Sequence, residues 1–409
     1  MRFFILICIL LLSEYYAFQL FMFFFKDSSP SGRSISLGTY ILLSLIQISF
    51  IIIAITGLNN SLPKSLNSIW GAMTFIVTLS KIIGGSFLFV DDIRRLLLFA
   101  GSSLGLEHSY NSSRSKFLSL AALTVGSIPF LSLTYGMIKN PYNYKVFKIK
   151  LPVKNLSKDL RGFRIVQISD IHSGSFLYKE PVKRAVELIN KEQADLVCFT
   201  GDLVNNKASE MDDFIDVFKE IKSKNGVFSI VGNHDYGDYE AWESKEAKQA
   251  NFDRLKDVHK EMGWNLLLNE HQNISIGSSQ LAVIGVENQS ATPRFPQKGD
   301  LTKASSGTSM ADFRLLLSHD PSHWNQEVTK SFKDIDLTLS GHTHGMQFGI
   351  EIPGFIKWSP IKYVYKQWAG LYRSDQQALY VNRGLGYLGY PGRVGIMPEI
   401  TVIELEVEA

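Results

Sequence analysis

The sequence predicts a soluble α/β domain of sandwich type carried behind an all-α transmembrane region of about four helices. Three observations predict it. Up to about Met137 the chain is dominated by long apolar runs, and beyond about Lys150 it carries the mixed charge of a soluble domain. In that second part, strand-like and helix-like segments alternate. Residues able to ligate metals (Asp170, His172, Asp202, Asn233, His319, His342 and His344) recur there where an apolar strand gives way to a Gly-rich or polar turn.

The 409 residues suffice for more than one domain. A net charge of +3 and the lack of a long basic run argue against a nucleic-acid partner. The two cysteines, Cys8 and Cys198, fall in an apolar segment and a buried-type strand, so no disulfide framework is expected.

Four apolar runs, Phe3 to Phe25, Leu37 to Leu58, Leu66 to Val90 and Phe117 to Ile138, are each long enough to span a membrane. Crossing about 30 Å of hydrocarbon takes roughly 20 helical residues. The first run is too long for the core of a signal peptide and lacks a clean cleavage site. Asn59 to Ser65 and Gly101 to Ser115 read as polar loops. Glu14 and Lys81 are ionisable groups inside apolar runs. Lys81 is read as snorkelling to an interface, or as a misplaced span boundary, with a Glu14–Lys81 pair across the bundle as the alternative. Arg2, Lys64, Lys139, Lys145, Lys148 and Lys150 on one side balance Lys26, Arg33, Arg94, Arg95, Arg114 and Lys116 on the other. The positive-inside rule therefore does not orient the chain.

The helical region is placed at 1–140, a juxtamembrane connector at 141–160 and the soluble domain at 161–409. Asn140-Pro141-Tyr142-Asn143 breaks the last membrane helix, and a strand follows at Tyr144 to Leu151. Apolar, β-rich runs at Phe163 to Ile168, Leu196 to Thr200 and Gly226 to Val231 alternate with helical spacing at Glu180 to Lys191 and Met211 to Lys224. A charged helix is expected at Glu240 to Met262, then strands at Trp264 to Leu268, Asn273 to Ile276, Leu281 to Gly285, Arg314 to Leu317 and Leu337 to Leu339. A helix near Trp324 to Ser331 separates the last two, and strands at Ala378 to Val381 and Ile400 to Leu405 end the pattern.

Chemistry is expected at the strand ends. Asp170 and His172, two apart on extended chain, can point at one metal. Asp202 has two oxygens and can bridge two metals, and Gly201 lets the backbone approach closely. Asn233 offers a neutral amide oxygen, while the adjacent His234 is directed at substrate. His319, His342 and His344 complete the set. Imidazole with carboxylate suits Mn, Fe or Zn better than Ca or Mg. A lone Gly-Asp, Asn-His-Asp or His-x-His is commonplace; five such segments in order describe a two-metal hydrolytic site. His259, His271 and His323 fit no motif and are read as surface or structural, and Asp212-Asp213 as a solvated helix start.

Asp170-Ile171-His172, Gly201-Asp202, Gly232-Asn233-His234-Asp235, His319 and Gly341-His342-Thr343-His344 together resemble the calcineurin-like metallophosphoesterase superfamily, over roughly Phe163 to Ile403. Arg383-Gly384-Leu385-Gly386 and Pro398-Glu399-Ile400-Thr401 resemble its membrane-anchored bacterial members. The resemblance implies a double-layered β-sandwich flanked by helices, two divalent metals (Mn foremost, Fe or Zn as alternatives), and a bacterial inner-membrane location. One metal would take Asp170, His172, Asp202 and His344, and the other Asp202, Asn233, His319 and His342. A metal-activated water would attack a phosphoester or pyrophosphate, with His234 as general acid or transition-state stabiliser. Asp235 would orient that imidazole or serve the structure. Met346 departs from the family pattern, where many relatives have a second Gly, and is expected to reshape the rim only.

Glu351 to Arg373 interleaves aromatic and basic residues just after the histidine pair. It is expected either to meet membrane lipid or a lipid-linked phosphate, or to pack a β-hairpin onto the domain. The substrate is accordingly a phosphorylated small molecule or a lipid-linked one, with the catalytic domain facing the cytoplasm, where lipid-precursor chemistry fits. A non-catalytic metal-binding sensor or scaffold is the reading from a different class.

Overall fold

A computed structural model describes residues 2–25, 28–58, 62–102, 112–352 and 354–408. It divides into two compact units, Met1–Ile138 and Lys139–Ala409.

The first unit is built of four helices, α1 (Arg2–Phe25), α2 (Pro30–Thr56), α3 (Lys64–Ser102) and α4 (Ser112–Lys139). All four are long and apolar enough to cross a membrane. The third helix continues well past the expected end at Val90. Much of the two expected polar loops, 59–61 and 103–111, lies outside the described residues. The helices carry most of their large apolar side chains on the outside, as lipid-facing surfaces do. Gly84 of α3 and Gly126 of α4 let two backbones meet: a Cβ on Gly126 would lie 3.0 Å from the Gly84 Cα.

Inside this bundle the snorkelling reading of Lys81 is overturned. Its ammonium donates to Glu14, to Ser44 Oγ at 2.9 Å and to Gln47 Oε1 at 3.1 Å, which uses all three of its N–H groups. The other Glu14 oxygen accepts from Tyr40 and Ser44 at 2.8 and 2.9 Å. A charge in hydrocarbon is costly, and a fully partnered pair between α1, α2 and α3 offsets that cost better than an interfacial reach would.

The second unit is a two-sheet sandwich. One sheet has the order β1 (Lys145–Val153), β14 (Glu399–Val407), β2 (Arg164–Ile168), β3 (Leu196–Thr200), β4 (Val227–Ile230) and β5 (Asn265–Leu266). The other has β12 (Gly370–Ser374), β13 (Gln377–Val381), β9 (Leu337–Ser340), β8 (Phe313–Leu317), β7 (Ser279–Gly285) and β6 (Glu270–Ile276). The stretch expected as a connector thus contributes β1, which pairs in parallel with β14 along its whole length.

Alternation along the strands builds the layers. Ile165, Leu196, Cys198, Phe228, Phe313, Leu315 and Leu337 fill the space between the sheets. Val166, Val197 and Phe199 point outward onto α5 (Lys179–Lys191) and α7 (Lys245–Glu261). Ala282, Ile284 and Leu316 point outward on the other side onto α8 (Leu301–Ser305) and Trp324. The inner strands β2, β3, β4, β8, β9 and β13 are buried on both faces, which is why they read as nearly continuous apolar runs, while the edge strands β1, β6 and β12 stay partly exposed.

The amphipathic helix expected at Met211 to Lys224 shrinks to α6 (Ile215–Phe218). The Asn190 side chain donates to Glu220 O and accepts from Lys222 N, both at 2.8 Å, and so draws these backbone groups out of the helix. The expected helix after Trp324 is a π-turn running into α9 (Thr329–Ser331). The segment after His344 forms a small hairpin, β10 (Ile350–Ile352) with β11 (Ile356–Trp358), within the stretch for which a hairpin was one of two readings.

Candidate metal centre

The strands β2, β3 and β4 run parallel, as do β7, β8, β9 and β13. Their carboxyl ends deliver every expected ligand: Asp170 and His172 follow β2, Asp202 follows β3, Asn233 follows β4, His319 follows β8, and His342 and His344 follow β9. The turns are tight. Asp170, His172, Asp202, His342 and His344 all adopt left-handed backbone, with φ of 49°, 46°, 59°, 71° and 50°. Each such residue costs on the order of 1 kcal/mol or more, strain of the kind that concentrates at functional sites. Gly341 is obligatory for a different reason: a Cβ there would lie 2.2 Å from Asp170 Oδ2.

Two three-residue groups result, Asp170 with His172 and His344, and Asp202 with His319 and His342. Within each, the potential ligand atoms lie within 4.8 Å of one another. Asp202 joins the groups, with Oδ2 3.1 Å from His319 Nε2 and 3.6 Å from His172 Nε2. Asn233 Oδ1 meets His342 Nδ1 at 2.8 Å. All seven expected ligands therefore converge.

A backbone carbonyl and a side-chain amide fix two tautomers. His319 Nδ1–H donates to Thr200 O at 2.6 Å, and His172 Nδ1–H donates to Asn205 Oδ1 at 3.1 Å. That leaves each Nε2 to face the centre. Burial pushes His172 down to about 3 and His342 and His344 below the ordinary imidazole range, which keeps them in the neutral form that offers a lone pair. Burial acts against charge on His319 too, but the Asp202 carboxylate outweighs it and lifts His319 to about 10. Burial raises Asp170 to about 7, whereas beside His319 and His234 the Asp202 carboxyl stays well below its usual range despite burial. A divalent cation suits this donor set. His172 Nε2 and His344 Nε2 face each other at 3.0 Å, and His344 Nδ1 is buried without a hydrogen-bond partner.

His234 stands at the edge of this cluster, half-buried. Its backbone N–H donates to Asp202 Oδ1 and its Nδ1–H to Asn205 O, both at 2.8 Å. Its ring packs against Tyr239 and His172. Asp235 does not orient it, and that expectation is corrected. The Asp235 carboxylate is fully buried and accepts the backbone N–H groups of Asp202, Leu203, Val204 and Gly232 at 2.8 to 3.2 Å. It ties the β3 and β4 turns together.

Three contributors carried no motif. Asn205 orients two histidines. Tyr365 OH lies 2.9 Å from His342 Nε2 and 3.4 Å from Asp320 Oδ2. Arg393, fully buried, donates to the carbonyls of Arg383, Gly384 and Gly386. It thereby holds the loop whose Leu385 and Gly386 N–H groups bond Ser169 O and Asp170 O at 2.8 and 2.9 Å. His259 and His323 prove structural, each buried and bonded to a serine. Met346 has φ 55°, the conformation a glycine takes without strain, and its side chain is exposed.

The centre opens into a cleft of about 360 Å³. Asp202, Asn233, His234, His342 and His344 form one wall, and Phe295, Ile361, Val364, Tyr365 and Leu388 form an apolar one. Among the described residues lining it, Arg294 is the one guanidinium or ammonium.

Comparison with known proteins agrees with this geometry. Residues 163–346 match the family model "Calcineurin-like phosphoesterase", and residues 1–141 match "Probable Calcineurin-like phosphoesterase, transmembrane domain". The chain belongs to the calcineurin-like metallophosphoesterases, a family that uses divalent metals, and its four apolar helices mark it as a membrane protein. It is 31% identical to a "Transmembrane protein with metallophosphoesterase domain" of Danio rerio, over 66% of this chain and 60% of that one. The match therefore spans less than two thirds of that relative. It is 28% identical to the metallophosphoesterase YkuE of Bacillus subtilis, over 71% of this chain and 93% of that one. A metallophosphoesterase of Helicobacter pylori strain J99 is 26% identical, over 98% of this chain and 97% of that one.

Proposed function

We propose that this chain is a dinuclear metal-dependent hydrolase of phosphoester or pyrophosphate bonds, acting on a lipid-linked substrate at a membrane. The observation that carries it is the gathering of the other six ligand-type side chains around Asp202, with His234 beside them on the cleft. Asp170, His172, Asp202 and His344 would hold one cation, and Asp202, Asn233, His319 and His342 the other. Bound there, such cations, Mn by preference, supply a strong nucleophile at neutral pH and offset charge on the phosphoryl oxygens.

The protein's own groups do the rest. Because Nδ1–H of His234 is committed to Asn205 O, Nε2 is the nitrogen left to pass a proton to the leaving oxygen or to stabilise the transition state. Arg294 offers a guanidinium to a second anionic group, as a pyrophosphate or diester would present. The wall of Phe295, Ile361, Val364 and Leu388 suits an apolar moiety and favours a lipid-linked substrate over a fully polar one. A sensor or scaffold would have no use for a proton-passing imidazole held so closely. In our reading the domain faces the cytoplasm of a bacterial inner membrane, and a C-terminal reporter active only outside the cytoplasm would overturn that face.

The test is hydrolysis of bis-(p-nitrophenyl) phosphate by the full chain with Mn²⁺, beside Asp202→Ala and His234→Ala variants, followed by lipid pyrophosphates in detergent. Turnover lost in both variants supports the reaction. Turnover retained in both sinks it, and a preference for soluble substrates over lipid ones sinks the substrate class.

A further inference from the structure

The β10–β11 hairpin leaves its isoleucines exposed. Glu351 and Lys357 lie directly opposite each other on one face, Glu351 half-buried and Lys357 exposed along its stem, and the charged tips of both reach back onto the protein. Glu351 accepts from the buried Arg383 at 2.6 Å. Lys357 donates to Ala369 O and lies over the Trp368 ring. By the period-two rule the other face holds Ile350, Ile352, Ile356 and Trp358. Its three isoleucines are 37 to 51% exposed, and Phe355 in the connecting turn is 85% exposed. A soluble surface hairpin puts its charges out and its isoleucines in.

The chain on either side extends this surface. Met346 and Phe348 precede the hairpin, and Tyr363 and Val364, 75 and 76% exposed, follow it. Lys362 and Lys366 stand among them, exposed, with Lys362 over the Tyr363 ring. Aliphatic side chains with Trp and Tyr beside them and lysines around them match the boundary between acyl chains and anionic headgroups. One such partner is held near every copy of the domain, because β1 begins a few residues beyond the last apolar helix.

We propose that the outward face of the β10–β11 hairpin, with Phe355 at its turn, docks into the lipid bilayer that the four helices occupy. Phe355 and the isoleucines enter the interfacial layer, and Lys362 and Lys366 meet anionic headgroups. Val364 also lines the cleft, so the apolar surface continues into its mouth. If the substrate is lipid-linked, as proposed above, docking brings the mouth to the level of its headgroup; the docking itself holds for any substrate.

The experiment uses the full chain in nanodiscs of phosphatidylcholine and phosphatidylglycerol in equal parts. A nitroxide is attached at Phe355→Cys in a Cys8→Ala background, since Cys198 is buried and unreactive. Power-saturation spectroscopy compares access of oxygen, which concentrates in lipid, with access of a water-soluble nickel chelate. Docking is supported if oxygen access exceeds chelate access at 355 while a label at exposed Lys219→Cys shows the reverse. Chelate access at 355 equal to that at 219 overturns it. So does dipolar broadening between labels at 355 without oxygen preference, which would assign the face to a second copy of the chain. The readout does not involve turnover, so failure of the proposed reaction would show separately, in the bis-(p-nitrophenyl) phosphate assay of the same sample.

Discussion

The Nε2 atoms of His172 and His344 face each other at 3.0 Å, from turns after two different strands. Two neutral imidazoles held this way present at least one lone pair to the space between Asp170 and Asp202. A cation resolves that arrangement better than a shared proton. Full-chain protein should therefore bind two equivalents of Mn²⁺ by elemental analysis, and His344→Ala one. Ligand at about 100 times its dissociation constant adds about 2.7 kcal/mol per site. Chelation should lower the melting temperature of the native chain by more than that of the variant. Equal shifts would mean that His344 holds no metal.

His234 and Asp235 are neighbours with separable duties. His234→Asn should lower kcat by about 100- to 10,000-fold, the usual range for a lost proton-transfer group, with metal content and melting temperature unchanged. Asp235→Asn places an amide N–H₂ against backbone N–H donors and should cost about 3 kcal/mol of stability. Calorimetry beside the activity assay tells them apart. A stable, inactive Asp235→Asn protein would restore the role in orienting His234 that the structure denies it.

In the membrane unit, Lys81→Ala strands Glu14 among apolar helices and should cost about 3 to 5 kcal/mol. Glu14→Gln with Lys81→Met removes both charges and should recover most of that. Reversible unfolding in mixed detergent micelles would measure both, and equal losses in the two variants would contradict the pairing.

Asp336, half-buried and accepting Arg314 N–H at 2.7 Å, is raised by burial to about 6. The native state thus binds a proton more tightly than the unfolded chain. The carboxyl's contribution is at its most favourable below about pH 4 and is lost as pH rises through 6. Asp336→Asn keeps an acceptor and does not titrate. Its stability relative to the native chain should climb by on the order of 2 kcal/mol between pH 4 and 7, then level off. A flat difference across that range would show the carboxyl to be unperturbed.

The centre was legible because each ligand follows a buried strand, and such strands write themselves as apolar runs ended by Gly or polar residues. Leu196–Thr200 with Gly201-Asp202 shows the rule at its plainest. Asn205, Tyr365 and Arg393 were not legible, because each acts through backbone carbonyls or a partner distant in sequence. Asp235 misled because adjacency to His234 along the chain suggested contact, whereas the turn sends its carboxylate the other way. The β10–β11 hairpin was one of two readings of its segment, and its strand bounds were not legible because its isoleucines do not pack inward. The aromatic segment divides between its two readings: Trp368 is buried in the domain, while Phe355 and Tyr363 are exposed.

The position of β14 between β1 and β2 bears on how the protein is made. A ribosome delivers β1 and β2 early, yet β1 has no sheet partner, and β2 pairs on its β3 side alone, until β14 emerges much later. The membrane helices are then already synthesised, while the half-made sheet waits with two open edges. Pairing so distant along the chain is slow to form and prone to wrong partners in the interval. Biogenesis of this protein thus rests on protecting a nascent intermediate, a demand set by topology alone and independent of the chemistry the finished centre performs.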